Sequence, residues 1–240
     1  MVSVKNWDRE AAKLLGLGIL ASMLLGWSLS GLAGSLLSSF KKPDIQLVQF
    51  IISTMSFQGV TMVMIWFFLK EQRVSWNDAF GFWKMPVWRS AMIGTIAAAF
   101  MLVGTIFLGW LADKLMRLAG MTPQAQTAVE VVMNSSSVGR KVYYGLAAVV
   151  LVPPAEELLF RGLIYPSVKQ SGHPLLAVWG TSLLFAAIHF NILAMIPLLF
   201  VALALTLLYE ATDNLLVAIF AHSLFNLANF MIMTLQNGAS

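Results

Sequence analysis

Apolar residues fill seven stretches of this chain, about residues 14–40, 45–69, 90–112, 142–164, 174–190, 192–209 and 214–235, with short polar intervals between them. A bilayer core takes about 20 apolar residues to cross as a helix, so the pattern predicts an all-α, polytopic transmembrane bundle of about seven spans, within a range of six to eight. The first stretch follows Lys5, Arg9 and Lys13 and is too long for the core of a cleaved leader, so it reads as a retained span. It contains Gly16, Gly18, Gly26, Gly31 and Gly34, which predict close helix packing.

Two polar intervals are long. Lys70 to Arg89 carries Trp76, Phe80, Phe82, Trp83 and Trp88, aromatic residues that suit an interfacial anchor. Asp113 to Lys141 is the longest interruption; Thr122-Pro123 is a candidate helix start, Asn134-Ser135-Ser136-Ser137 a loop, and the whole interval a lid or a connector. With a cytoplasmic N-terminus and seven spans, nine Lys and Arg fall on the cytoplasmic side (the three N-terminal ones, four between 70 and 89, Arg161 and Lys169). Six (Lys41, Lys42 and four between 114 and 141) fall on the other, a weak bias toward N-in.

Composition agrees and narrows the chemistry. Of 240 residues, 59% are hydrophobic and 11% charged, more apolar than one soluble core can hide. The absence of Cys removes disulfides, thiolate metal sites and thiol nucleophiles, and the net charge of +4 has no basic run that would suggest nucleic acid. No internal repeat supports an inverted-repeat transporter.

The last 100 residues hold side chains that a lipid-facing helix disfavours: Glu156, Glu157, Arg161, His189, His222 and Asn226. Each charge at mid-membrane costs about 2.5–3.5 kcal/mol, so such groups face a cavity or one another. Glu157 and Arg161 are four apart, as are His222 and Asn226, so each pair shares a helix face. Pro153-Pro154 predicts a helix broken or restarted just before the glutamates. One carboxylate and two imidazoles in a pocket suit activation of water, with Glu157 paired to Arg161 in support and Glu156, about 100° around the helix, free to act as base.

Glu156-Glu157-Leu158-Leu159-Phe160-Arg161, Phe185-Ala186-Ala187-Ile188-His189 and His222-Ser223-Leu224-Phe225-Asn226 resemble, in order, the EExxxR, FxxxH and HxxxN motifs of the CAAX protease and bacteriocin-processing family, also called Abi. The resemblance implies an intramembrane glutamic endopeptidase whose core spans about 142–235 of a single membrane domain, 1–240. Glu156 and His189 would activate water, His222 with Asn226 would form the oxyanion site, and Glu157 and Arg161 would support them. It implies no cofactor, a membrane protein or peptide as substrate, and residence in a bacterial inner membrane. Eukaryotic members cut the last three residues from prenylated CAAX proteins, whereas bacterial members include bacteriocin-immunity proteins. Tyr209-Glu210 matches a pair found in the family, while Ala202 and Thr206 stand where a GxxxG-like spacing has glycine.

Other readings stand beside this one. A non-catalytic scaffold or immunity protein of the same fold is the main alternative, and a small-molecule transporter the third. Glu156, His189 and His222 form a possible zinc set, though HExxH is absent. Gly180-Thr181-Ser182 resembles the start of a rhomboid GxSG motif, with Leu183 in place of the last Gly. Asp213 falls at a predicted turn, which disfavours an aspartyl mechanism, and His173 reads as a solvated loop residue.

Overall fold

The computed structural model describes residues 2–5, 7–39, 42–124, 126–135 and 137–238, so Lys41 and Ser136 lie outside the described residues. Among these residues the chain is helical and has no strand. Five helices are long and apolar enough to cross a membrane: α1 (Arg9–Leu36), the continuous helix Ile45–Gln72, α5 (Val87–Leu118), α11 (Ile192–Thr212) and the Leu215–Leu235 part of α12 (Leu215–Gly238). Ile45–Gln72 comprises α2 (Lys42–Thr54, in part), a wide π-helical turn at Met55–Gly59 and α3 (Val60–Gln72).

The other two predicted spans are different in kind. Residues 138–170 are one unbroken helical run: α7 (Val138–Leu146), a π turn at Ala147–Leu151, α8 (Val152–Glu157), a second π turn at Leu158–Ile164 and α9 (Tyr165–Gln170). Nearly every residue from Ala155 to Pro166 is buried, so this part of the run is enclosed by the bundle and can carry charge, whereas Val142, Leu146 and Val150 before it are exposed. The other, α10 (Pro174–Ala187), has 14 residues, fewer than a lipid-crossing helix needs.

Side chains are sorted inside out. On α5, Ser90, Gly94, Ala98 and Met101 face inward, while Met92, Ile96, Phe100, Val103 and Phe107 are exposed. In lipid, large apolar residues gain nothing by facing each other, and helices associate by close packing of small ones. A Cβ on Gly94 would lie 2.7 Å from the Phe220 Cβ and 3.0 Å from the Ala221 nitrogen, so glycine lets α5 lie directly on α12. Among the N-terminal glycines the prediction holds for Gly26 and Gly34, which meet Ser56 and Gln49, but not for Gly31, which faces open space.

Three local expectations are corrected. α5 continues through Asp113 and Arg117 to Leu118, because these two pair at i, i+4 (2.8 Å) on its exposed face; the helical interruption therefore starts at residue 119. The short helix after it, α6, is Thr127–Met133, and Thr122-Pro123 lies before it outside any helix. Of the five interfacial aromatics, Trp83 and Trp88 are exposed, but Trp76, Phe80 and Phe82 pack on one another, and Phe80 meets Trp7. The short α4 (Trp76–Phe80), capped by Ser75, turns them inward.

The N-terminal segment ties one end of the bundle together. Lys5 Nζ donates to the Ala79 carbonyl (2.6 Å) and Tyr209 hydroxyl (3.0 Å), while Asp213, in the left-handed turn between α11 and α12, accepts from the Ser3 amide and from Lys84. Burial alone would push the Asp213 carboxyl up; the bonds from Lys84 and Ser3 outweigh it and hold the group below its usual range. Burial pushes the Lys5 ammonium from 10.5 down to about 8, opposed by Asp213 and assisted by Lys84. The unfolded chain thus holds more protons than the folded one between about pH 8 and 10.5, so the burial cost of Lys5 is full below that window and stability rises across it. Lys5→Met is expected to flatten this rise in detergent-phase melting curves; the same slope in both proteins would remove Lys5 from the account.

Candidate active site

The prolines and the π turns belong together. Pro153 and Pro154 have no N–H and their rings crowd the carbonyls a turn earlier, yet the helix does not break as predicted. It widens instead: the Val152 amide skips to the Ala147 carbonyl, one residue further back than in an α-helix. That skip deprives the Ala148 carbonyl of its α-helical donor, and the next candidate, Pro153, has none. Asn226, from α12, fills the gap with a bond from Nδ2 of 2.8 Å. The second wide turn, Leu158–Ile164, likewise ends just before Pro166 and contains Arg161.

The structure brings Glu156, Glu157, Arg161 and His222 into one set. Arg161 is 1% exposed and gives all three kinds of its nitrogens to partners: Nη1 to Glu157 Oε1 at 2.9 Å, Nη2 to the Ala202 carbonyl at 2.9 Å and Nε to Thr206 Oγ1 at 3.3 Å. The two positions where the glycine spacing is missing thus hold the guanidinium, one by its carbonyl and one by its hydroxyl. Arg161 also lies over the Phe185 ring, 4.7 Å from its centre, and Phe185 in turn meets His189 and His222 at 5.0 and 6.0 Å. Being buried with Glu157, Arg161 is not a loop charge, and the Lys and Arg bias between the two sides falls by one.

Hydrogen bonding fixes Nδ1 as the donor in both site histidines. His222 Nδ1 lies 2.8 Å from Glu157 Oε1, and His189 Nδ1 lies 2.8 Å from the Phe185 carbonyl. Both partners are acceptors, so Nδ1 carries the proton in each ring and Nε2 is left for the cavity. His222 Nε2 is 3.9 Å from Glu156 Oε2, a gap for a shared proton or a bridging molecule rather than a direct bond.

Glu156, His189, His222 and Asn226 all line a cavity of about 920 Å3, whereas Glu157 does not reach it. Its walls are largely apolar, with Trp27, Phe50, Phe57, Trp110, Phe185 and Phe230 among them. Gln124, Gln126 and the α6 residues Val129, Val132 and Met133 line one side of it, and Asn191, the N-cap of α11, donates to the Gln124 carbonyl (3.0 Å). Sequence reasoning missed Gln58, which also lines the cavity from the π turn at Met55–Gly59; an amide within an apolar span was the available signal.

The remaining candidates separate from the site. Ser182 is buried, its hydroxyl meets no partner among the described residues, and it does not line the cavity. Asp213 lies in the turn as predicted, and His173 is exposed. Among the described residues no three His, Asp or Glu side chains converge as metal ligands do.

The Ala148–Asn226 bond carries a prediction. Asn226→Ala leaves a part-buried carbonyl unpaired and is expected to cost about 1 kcal/mol. Adding Pro153→Ala restores an amide in the preceding turn and should recover part of that loss in a double-mutant cycle. Strict additivity of the two changes would mean that the proline does not create the need for Asn226.

The fold and the site together define an integral membrane protein with a carboxylate and two imidazoles around an apolar cavity. Residues 139–228 match the sequence model of the family described as Type II CAAX prenyl endopeptidase Rce1-like, a segment that contains all seven of the motif residues. Uncharacterized protein YpbD of Bacillus subtilis (strain 168) is 33% identical over 87 residues, covering 35% of this chain and 42% of that protein. The chain thus spans less than half the length of that relative. No solved structure matches the chain. The family resemblance carried by the three motifs is borne out over this segment.

Proposed function

We propose that this protein is an intramembrane endopeptidase that hydrolyses a peptide bond by water activated at Glu156. The observation that carries the reading is His222: its Nδ1 is fixed by Glu157, which Arg161 anchors, so its Nε2 stands 3.9 Å from Glu156 on the cavity wall. Supporting carboxylates that set a histidine's tautomer and direction are what a preorganised site needs.

In this scheme Glu156, assisted by His189 Nε2, takes a proton from water as its oxygen bonds to the carbonyl carbon of the substrate. The oxyanion so formed accepts a hydrogen bond from doubly protonated His222 through Nε2. The C–N bond then breaks, and the departing amine takes the proton held by Glu156, returning the site to its starting state. No covalent enzyme intermediate and no metal enter. Asn226, with one amide hydrogen committed to Ala148, contributes first by holding the wide turn beneath Glu156.

The cavity walls favour an apolar peptide, one that reaches the site from the bilayer or as part of a membrane protein. The test is cleavage of a library of apolar peptides by detergent-purified protein, with and without a chelator. Cleavage untouched by the chelator and reduced about 10²–10⁴-fold in His189→Ala is expected. Loss of cleavage on chelation would return zinc to Glu156, His189 and His222. No cleavage under either condition would favour a non-catalytic scaffold or immunity protein of the same fold.

A further inference from the structure

One amide hydrogen of Asn226 is committed to the Ala148 carbonyl and the other stays available to the cavity, so any further donor to the oxyanion acts beside it. Among the carboxamides that line the cavity, Gln58 is the one that is buried. It is 8% exposed, it lines the cavity, and no described residue gives or takes a hydrogen bond from its side chain. Its polar atoms are not sealed off from the cavity, so the carboxamide is free to meet a group that enters there.

Its setting points the same way. The wide turn Met55–Gly59 interrupts an otherwise regular helix, and unlike the two turns of the 138–170 run it has no proline after it to explain the widening. Such turns recur where a helix must present a side chain to a site. This one packs against α8, the short helix that carries Glu156. It also lies outside residues 139–228, in the half of the chain that the family match does not reach.

We propose that Gln58 donates a hydrogen bond from its carboxamide to the carbonyl oxygen of the peptide bond under attack, acting with His222 on the developing oxyanion. The inference rests on the endopeptidase reading and adds to it a catalytic group supplied by the second membrane helix. A preorganised donor of this kind acts on the transition state more than on the bound substrate, so its removal lowers kcat and leaves KM nearly unchanged.

The experiment uses the full-length protein in detergent, an end-blocked dansyl-labelled apolar peptide that the wild type cleaves, and the same peptide with a phosphinate in place of the scissile amide. Gln58→Leu is expected to lower kcat about 10²–10³-fold with KM within about threefold, and to weaken phosphinate binding by a similar factor while binding of the amide peptide is kept. Gln58→Glu, with the same shape but no neutral donor, should behave alike and serves if Gln58→Leu does not assemble. Wild-type kcat in either folded variant, or parallel loss of amide and phosphinate binding, would overturn the role of Gln58 while leaving the endopeptidase reading intact. A wild type that neither cleaves a peptide of the library nor binds a phosphinate more tightly than its amide parent would overturn both.

Discussion

Arg161→Met is expected to destabilise the protein by about 3–5 kcal/mol, the cost of stripping a fully buried carboxylate of its partner. Glu157 is 0% exposed and its Oε2 already lacks a hydrogen bond among the described residues, so without the guanidinium only the bond from His222 to Oε1 is left to it. The Ala202 carbonyl and Thr206 hydroxyl lose a donor in the same step. Adding Glu157→Leu to Arg161→Met removes the stranded charge and should recover much of the stability, since apolar replacements of both partners in a buried pair are often neutral. It should not recover cleavage, because His222 then has no group to hold Nδ1. Denaturation in mixed micelles measures the first effect and peptide hydrolysis the second. A single variant Arg161→Met that melts like the wild type would show that the pair is not what holds α8, the adjoining wide turn and α11 together.

Glu156 and Glu157 are neighbours in sequence with opposite expected phenotypes. Glu156→Gln keeps volume and hydrogen bonding but removes the base, so kcat should fall by about 10²–10⁴ or more with an unchanged melting profile. Glu157→Gln weakens the bonds to Arg161 and His222 and should lower stability and cleavage together. The reason for the difference is position: Glu156 lines the cavity, and Glu157, about 100° around the helix, faces Arg161. Hydrolysis measured beside melting for both variants separates the roles. Equal cleavage by Glu156→Gln and wild type would sink the base assignment, and a melting loss confined to Glu156→Gln would mean that the two roles had been exchanged.

Much of this was legible from spacing alone. Glu157 and Arg161 pair as their i, i+4 separation predicts, Glu156 is left for the cavity, and Asp213 takes the turn. The wide turns were not legible, because a proline in a helix can be met by a break, a kink or a widened turn, and which one occurs depends on whether a donor such as Asn226 waits on another helix for the freed carbonyl. Gln58 was hidden for a related reason: a lone amide in an apolar stretch looks the same in sequence whether it faces lipid, a neighbour or a cavity.

The chain's hydropathy by itself determined that the protein is a helical membrane bundle, and its three motifs determined which side chains had to avoid lipid, because length and polarity act residue by residue. Tertiary structure decided that residues 155–166 are enclosed rather than lipid-facing, that His222 is oriented by Glu157, and that the cavity draws a wall from the second helix. These are consequences of which helix faces meet across the bundle, and a face meets its partner through packing between segments more than 60 residues apart, as Glu157 and His222 are.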